Sequence, residues 1–146
     1  MATTANVGTY AGLASALRIS AMRLARRLRA ERADETLTLS QLATLGTLDR
    51  HGQMTLGQLA SHERVQPPSM TRIVSGLEER GLVVREQHST DRRIVIVRLT
   101  AEAVTMLTVD RRRRDAWLAQ RLRQLEPEEH EVLRRAAPVL EKLASL

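Results

Sequence analysis

The chain contains no cysteine and no phenylalanine, and it has one tryptophan, one tyrosine and a single lysine, Lys142. Without cysteine there is no disulfide, no thiolate nucleophile, no thiolate metal ligand and no cysteine-based redox sensor. With so few aromatic side chains, the core has to be built from Leu, Val, Ile, Met and Ala, a set that favours helices. No Gly-rich phosphate loop and no G-x-S-x-G elbow is present, so we do not expect an enzyme.

Long apolar runs are also lacking. No stretch approaches the roughly 20 residues needed to cross a membrane. Residues 1–10 lack the charged and apolar regions of a secretory signal. The sequence therefore predicts a cytoplasmic protein without a membrane partner. Its 146 residues, 42% of them hydrophobic, suffice for one domain of ordinary size with a packed core.

Positive charge, by contrast, is in excess. The formal net charge is +6, and nearly all of the positive charge is arginine. This balance suggests an anionic partner, either nucleic acid or an acidic surface, although charge can also serve solubility alone. Arginine binds phosphate through a bidentate fork, which suits DNA. A GC-rich genome produces the same arginine bias. The positions of the arginines therefore have to distinguish a surface for an anionic partner from a bias in composition.

The spacing of apolar residues predicts a mainly helical chain. Helix starts are expected near Leu13, Thr38, Thr55, Pro67, Thr100 and Pro127. The second and third helices each open with a capping box, in which a Thr is followed three residues later by a Gln. The fourth helix opens on two prolines, where a missing N–H costs least, and ends before Gly81.

Between Gly81 and Thr100 the pattern changes from helical to extended. Two runs rich in β-branched residues, 82–85 and 94–99, flank the polar loop 87–93 and predict an antiparallel hairpin. Three short helices followed by a hairpin form a winged helix-turn-helix. The predicted fold is therefore mainly α (α+β), with a DNA-binding region at 38–99 and a helical region at 1–37 and 100–146.

The outer helices predict a homodimer. They are separate in sequence and cannot bury all of their apolar faces on so small a middle unit, so a second copy would cover them. A monomer with one long helix folded back is the alternative. Pro138 lies inside the last helix and is expected to kink it.

The fourth helix has a face suited to DNA. Its exposed face and first turns are predicted to carry small or polar side chains that leave base edges accessible, namely Pro68, Ser69, Thr71, Arg72 and Ser75. Arg72 is expected to donate two hydrogen bonds to a guanine or to bind a phosphate. For Ser75, a purely solvated hydroxyl is the alternative.

The hairpin loop offers a second contact. Arg92 and Arg93 are predicted to bind DNA, since an arginine at a hairpin tip can enter the narrow minor groove or hold a phosphate. Asp91 is negative and is expected to fix the wing through bonds to backbone N–H groups or to a nearby arginine.

The four consecutive arginines at 111–114 project in different directions around their helix. We therefore expect them to be solvated and paired with nearby side chains.

Three segments together resemble the MarR family of bacterial transcriptional regulators. They are a recognition helix ending in Gly-Leu-Val (71–85), an Asp-Arg-Arg wing (91–93) and a Leu-Thr pair that opens a long helix (99–100). The resemblance covers residues 13–143. The sequence departs from the family pattern at 101–104, where many relatives carry a glycine, and at Pro138.

The resemblance implies a transcriptional regulator, usually a repressor, that binds double-stranded DNA as a homodimer on a pseudo-palindromic operator. It also implies a small aromatic or lipophilic effector in a crevice between the dimer helices and the DNA-reading unit. Candidate pocket residues are Met22, Leu45, Leu48, His51 and Trp117. The alternative is a winged-helix module that binds another protein and not DNA, although such a module would not need the wing arginines.

No cofactor and no metal site is expected. His62 and His130 lie beside acidic residues, but neither has convincing ligand spacing, and solvated side chains are the better interpretation. His51 lies at the junction between the dimer helices and the DNA-reading unit, where a pH-sensing role stays open.

Overall fold

In the computed structural model, residues 7–32 and 34–146 are described. Residues 1–6 lie outside the described ranges, and they include most of the segment 1–10 that was predicted to lack a secretory signal. The helices are α1 (Tyr10–Ala30), α2 (Leu39–His51), α3 (Leu56–Glu63), α4 (Pro67–Glu79), α5 (Ala101–Leu122) and α6 (Pro127–Ser145). The strands are β1 (Met54–Thr55), β2 (Val83–Gln87) and β3 (Val95–Leu99). The predicted fold class, mainly α with a small β part, is confirmed.

The chain divides into two compact units. The helical unit comprises residues 1–32 and 112–146, and the winged-helix unit comprises residues 33–111. Across the part of the chain that the structure describes, every helix is too short or too polar to span a lipid bilayer. Helix α6 continues through Pro138 to Ser145, and the kink expected at that proline stays a prediction.

Both predicted capping boxes are present in the winged-helix unit. The Thr38 hydroxyl accepts from the Gln41 backbone N–H at 3.1 Å, and the Gln41 side chain accepts from the Thr38 N–H at 2.9 Å. Thr55 and Gln58 repeat the same pair of bonds at 3.1 and 2.9 Å. Because these bonds satisfy N–H groups that lack partners inside the helix, they determine where α2 and α3 begin.

The sheet has the strand order β1-β3-β2 and is antiparallel throughout. The hairpin register pairs Val83 with Leu99 and Gln87 with Val95. The sequence predicted these two strands to within a few residues, but it did not predict β1, in which Met54 pairs with Val97. A strand of two residues is too short to show the alternation that identifies strands.

The hydrophobic core of the described residues lies in the winged-helix unit. Its most buried large side chains are Leu45, Leu48, Leu59, Met70, Leu77, Val74, Val83 and Val97. Helix α4 contributes Met70, Val74 and Leu77, so one side of that helix is held by the core and the other faces outward. In the helical unit, neither α1 nor α6 has a fully buried residue.

The turn between α3 and α4 contains a left-handed residue. Arg64 has φ 54° and ψ 43°, the one positive φ at a non-glycine position among the described residues. Its N–H donates to the Ser61 carbonyl at 3.2 Å, and the Val65 N–H donates to the Ala60 carbonyl at 3.0 Å. These bonds end α3 sharply and let α4 begin at Pro67, after three intervening residues. A side chain in this conformation crowds its own carbonyl, at a cost of about 1–2 kcal/mol.

Replacing Arg64 with glycine is expected to give a more stable chain than replacing it with alanine. Glycine removes the left-handed penalty but loses more backbone entropy on folding, which leaves an advantage of about 0.5–1 kcal/mol. Urea unfolding of the two variants measures the difference. Both variants lose the same charge, so charge does not enter the comparison. If the alanine variant is instead the more stable by about 0.5–1 kcal/mol, the backbone at this turn is unstrained.

Candidate nucleic-acid interface

Helix α4 presents its polar face to solvent. Pro68, Ser69, Thr71 and Arg72 are exposed, and Ser75 is half-buried. The Thr71 hydroxyl donates to the Pro67 carbonyl at 3.0 Å, so its hydrogen is used within the helix. Among the described residues, none pairs with the Arg72 guanidinium. The five donors of that group are therefore available to a partner outside the chain.

A glycine lets α4 approach the start of α2. A Cβ placed on Gly76 would lie 2.9 Å from Nε2 of Gln41, the residue whose side chain completes the α2 capping box. A larger residue at position 76 would displace that side chain. The sequence did not predict this contact, because only the packing of α4 on α2 brings the two positions together.

The far end of α4 is held by ion pairs. Arg80 donates to Asp34 at 2.5 Å and to the Thr36 hydroxyl at 2.6 Å, while Arg85 on β2 contacts Glu78 at 2.6 Å. Hydrogen bonds from Thr36, and then the Arg80 charge, lower the pKa of the Asp34 carboxyl. Its stabilising effect is present above the ordinary pKa of aspartate and is lost only as the pH falls through the lowered value.

The wing loop is closed by backbone bonds. The His88 N–H donates to the Ile94 carbonyl at 2.9 Å, and the Ile94 N–H donates to the Asp91 carbonyl at 3.0 Å. The Asp91 carboxylate accepts from the Arg93 backbone N–H at 3.0 Å and from its Nε at 3.2 Å. These bonds, the side-chain bond first, lower the pKa of Asp91, so the carboxylate stays charged at neutral pH.

The two wing arginines differ in their surroundings. Arg93 is paired with Asp91, although its side chain is 93% exposed. Arg92 is exposed, and no described residue pairs with its guanidinium. A free arginine at a hairpin tip beside a paired one makes Arg92 the stronger candidate for insertion into a minor groove.

The predicted effector residues fall in two groups. Leu45 and Leu48 lie in the core of the winged-helix unit, and His51 is exposed at the end of α2. Met22 and Trp117 belong to the helical unit, where the guanidinium of Arg121 lies 5.2 Å from the centroid of the Trp117 ring. The effector pocket stays a prediction.

The winged-helix unit also carries a shallow groove of about 260 Å³ that the sequence did not reveal. It is lined by Leu39, Ser40, Ala43, Thr44, Glu63, Val65 and Ile73. None of the predicted effector residues lines it.

Outside the interface, Arg111 pairs with Asp49 on α2, so the first arginine of the run at 111–114 is held within the chain.

Comparison with known proteins agrees with this geometry. A sequence model of the MarR family matches residues 37–95. An uncharacterised HTH-type transcriptional regulator of Mycobacterium leprae is 43% identical over 133 residues, covering 91% of this chain and 93% of that protein. The HTH-type transcriptional repressor MdtR of Bacillus subtilis is 31% identical over 108 residues, covering 74% of this chain and 68% of MdtR.

Solved structures agree as well. A MarR family protein from Bacillus stearothermophilus superposes with a TM-score of 0.79 at 27% identity, covering 97% of this chain and 99% of that one. The fold and its exposed arginines define a winged helix-turn-helix protein that binds DNA. The chain belongs to the MarR family of transcriptional regulators. It is therefore a DNA-binding regulator and not an enzyme, as the sequence predicted.

Proposed function

We propose that this regulator acts in the bacterial cytoplasm as a homodimer that represses transcription from a pseudo-palindromic operator. The observation that carries the proposal is the pair of unpartnered guanidinium groups in one unit, Arg72 on α4 and Arg92 on the wing. In this arrangement α4 enters the major groove and the wing reaches the adjacent minor groove.

Each residue has a separate role in this proposal. Arg72 donates to a guanine or to a phosphate, while Ser69, Thr71 and Ser75 contact bases or backbone from the same face. Arg92 inserts into the minor groove, Arg93 binds phosphate, and Asp91 holds the loop in shape. Pro68 lies in the first turn of the helix and leaves room for the DNA backbone. Two copies would read half-sites about 34 Å, or about 10 base pairs, apart.

The homodimer is supported by the apolar side chains on α6. Five of them are between 44% and 65% exposed, namely Val132, Leu133, Val139, Leu140 and Leu143. They recur at helical spacing and so form one stripe. Exposed apolar stripes of this kind mark interaction surfaces, and a second copy of the chain is the partner that we propose.

Repression and effector control are the finer parts of the proposal. Repression is supported by the name of the relative MdtR, a transcriptional repressor. Effector control would be exerted by a small aromatic or lipophilic ligand. Leu45 is 0% and Leu48 is 2% exposed, so a ligand that touches them has to open the core of the winged-helix unit. Such opening would disturb α4 and release DNA.

Selection from a pool of random double-stranded DNA tests the proposal. We expect enrichment of an inverted repeat with half-sites about 10 base pairs apart. The logarithm of the affinity for the selected site should fall steeply and linearly with the logarithm of the salt concentration. If a folded protein enriches no inverted repeat at low salt, the proposal of a homodimer on a pseudo-palindromic operator is wrong.

A further inference from the structure

The fold brings two histidines of the winged-helix unit into contact. His51 is the last residue of α2, and His62 lies in the last turn of α3. Their ring centroids are 4.9 Å apart, with the ring planes tilted by 55°. Both residues are exposed, and the His62 side chain keeps 43% of its accessible surface. Two imidazoles are thus held side by side at the surface.

A fixed carboxylate lies behind one of the two rings. Oε1 of Glu63 is 3.8 Å from Nδ1 of His62, and the Glu63 side chain is only 18% exposed. The same carboxylate oxygen accepts a hydrogen bond from the hydroxyl of Thr47, a buried residue of α2. The 3.8 Å separation is longer than a hydrogen bond. The carboxylate nevertheless lies on the Nδ1 side of the ring, where carboxylates commonly orient histidines that bind a metal through the other nitrogen.

We propose that His51 and His62 together bind one divalent transition-metal ion of the zinc type. Glu63 supports His62 from behind, with Nε2 of that ring as the ligand atom, and Thr47 holds Glu63. Imidazole nitrogens suit Zn²⁺, Ni²⁺ and Cu²⁺, whereas Mg²⁺ and Ca²⁺ prefer oxygen ligands. The site is separate from the DNA-contacting residues on α4 and the wing.

The site has two protein ligands, with water in the other positions. Within residues 7–32 and 34–146, no group of three or more His, Asp or Glu side chains could hold a metal ion. Structural zinc sites have four protein ligands, so binding here is weaker and exchangeable. A bound ion would connect the C-terminal ends of α2 and α3 and, because it binds the folded state, would raise the stability of the winged-helix unit.

Isothermal titration of the full chain with Zn²⁺, in a buffer that does not bind metals, tests this site. We expect uptake of one ion per chain and no uptake of Mg²⁺. The variants His51→Ala and His62→Ala should each lose at least about tenfold in affinity, and Glu63→Gln about 10–100-fold. The matched control is His88→Ala, which removes a wing histidine and should bind Zn²⁺ like the wild type.

Thermal unfolding gives an independent readout. Zn²⁺ should raise the Tm of the wild type and of His88→Ala, but not that of the double variant His51→Ala, His62→Ala. Because both histidines are exposed, the double variant should unfold like the wild type when no metal is present. If the wild type takes up no Zn²⁺, or if the double variant takes it up equally well, the proposal is wrong. An unchanged affinity in Glu63→Gln would overturn the role given to that carboxylate.

Discussion

Replacing Arg92 with alanine is expected to weaken operator binding by about 1–3 kcal/mol, or roughly five- to 150-fold. Arg93→Ala should weaken it less. The structure gives the reason for the difference, because Arg93 is paired with Asp91 while Arg92 has no partner among the described residues. Arg92 would bind DNA without first breaking an ion pair, whereas Arg93 would have to give up part of its pairing with Asp91.

The measurement is a salt-titrated binding assay on the selected operator with both single variants and the double variant. Each phosphate contact that is lost should reduce the slope of log affinity against log salt by about one. A loss in affinity that is large on the operator and small on unrelated DNA would instead indicate readout of minor-groove shape.

The matched control for the wing is Arg98→Ala. Arg98 lies on β3, is exposed, and pairs with Glu86 at 2.8 Å, so the variant loses the same charge from the same hairpin but not from its tip. It should bind DNA nearly as well as the wild type. If Arg98→Ala weakens binding as much as Arg92→Ala does, the wing acts only through net charge, and a specific role for Arg92 is wrong.

Leu140→Glu is expected to convert the proposed homodimer into a monomer. The side chain is 47% exposed in the single chain, so glutamate is tolerated there, but a buried carboxylate would strongly oppose contact with a second copy. A monomer holds one half-site at a time and loses the gain from simultaneous engagement of two. Affinity for the full operator should therefore fall by about 100-fold or more.

Light scattering after size-exclusion chromatography reports the mass, and a binding assay on half-site and full-site DNA reports the loss of avidity. The control is Lys142→Gln, which changes the charge by the same amount on the opposite face of α6 and should leave the dimer intact. A variant Leu140→Glu that remains dimeric would place the interface elsewhere. A cooperative urea unfolding transition of the monomeric variant would show that the chain itself still folds.

The order of elements and most of their ends could be predicted because the signals are local. A capping box is made within four residues, as Thr38 with Gln41 and Thr55 with Gln58 show. The prolines at the start of α4 and the left-handed Gly81, with φ 70°, mark the ends of elements for the same reason. The exposed polar side chains of α4 followed from helical periodicity, since the buried stripe and the polar face are opposite each other.

The sequence by itself determined the helix boundaries, the hairpin and the resemblance to the family, all of which depend on residues close together in the chain. Only the tertiary structure decided which distant residues meet. It joined Arg80 to Asp34 across 46 positions, paired the short strand β1 with β3, and set His51 against His62. It also distinguished Arg92 from Arg93, since two neighbouring arginines look alike until the loop brings one of them onto Asp91. Such contacts carry no local signal, because they form only when the core of the winged-helix unit packs and fixes the distances between its helices.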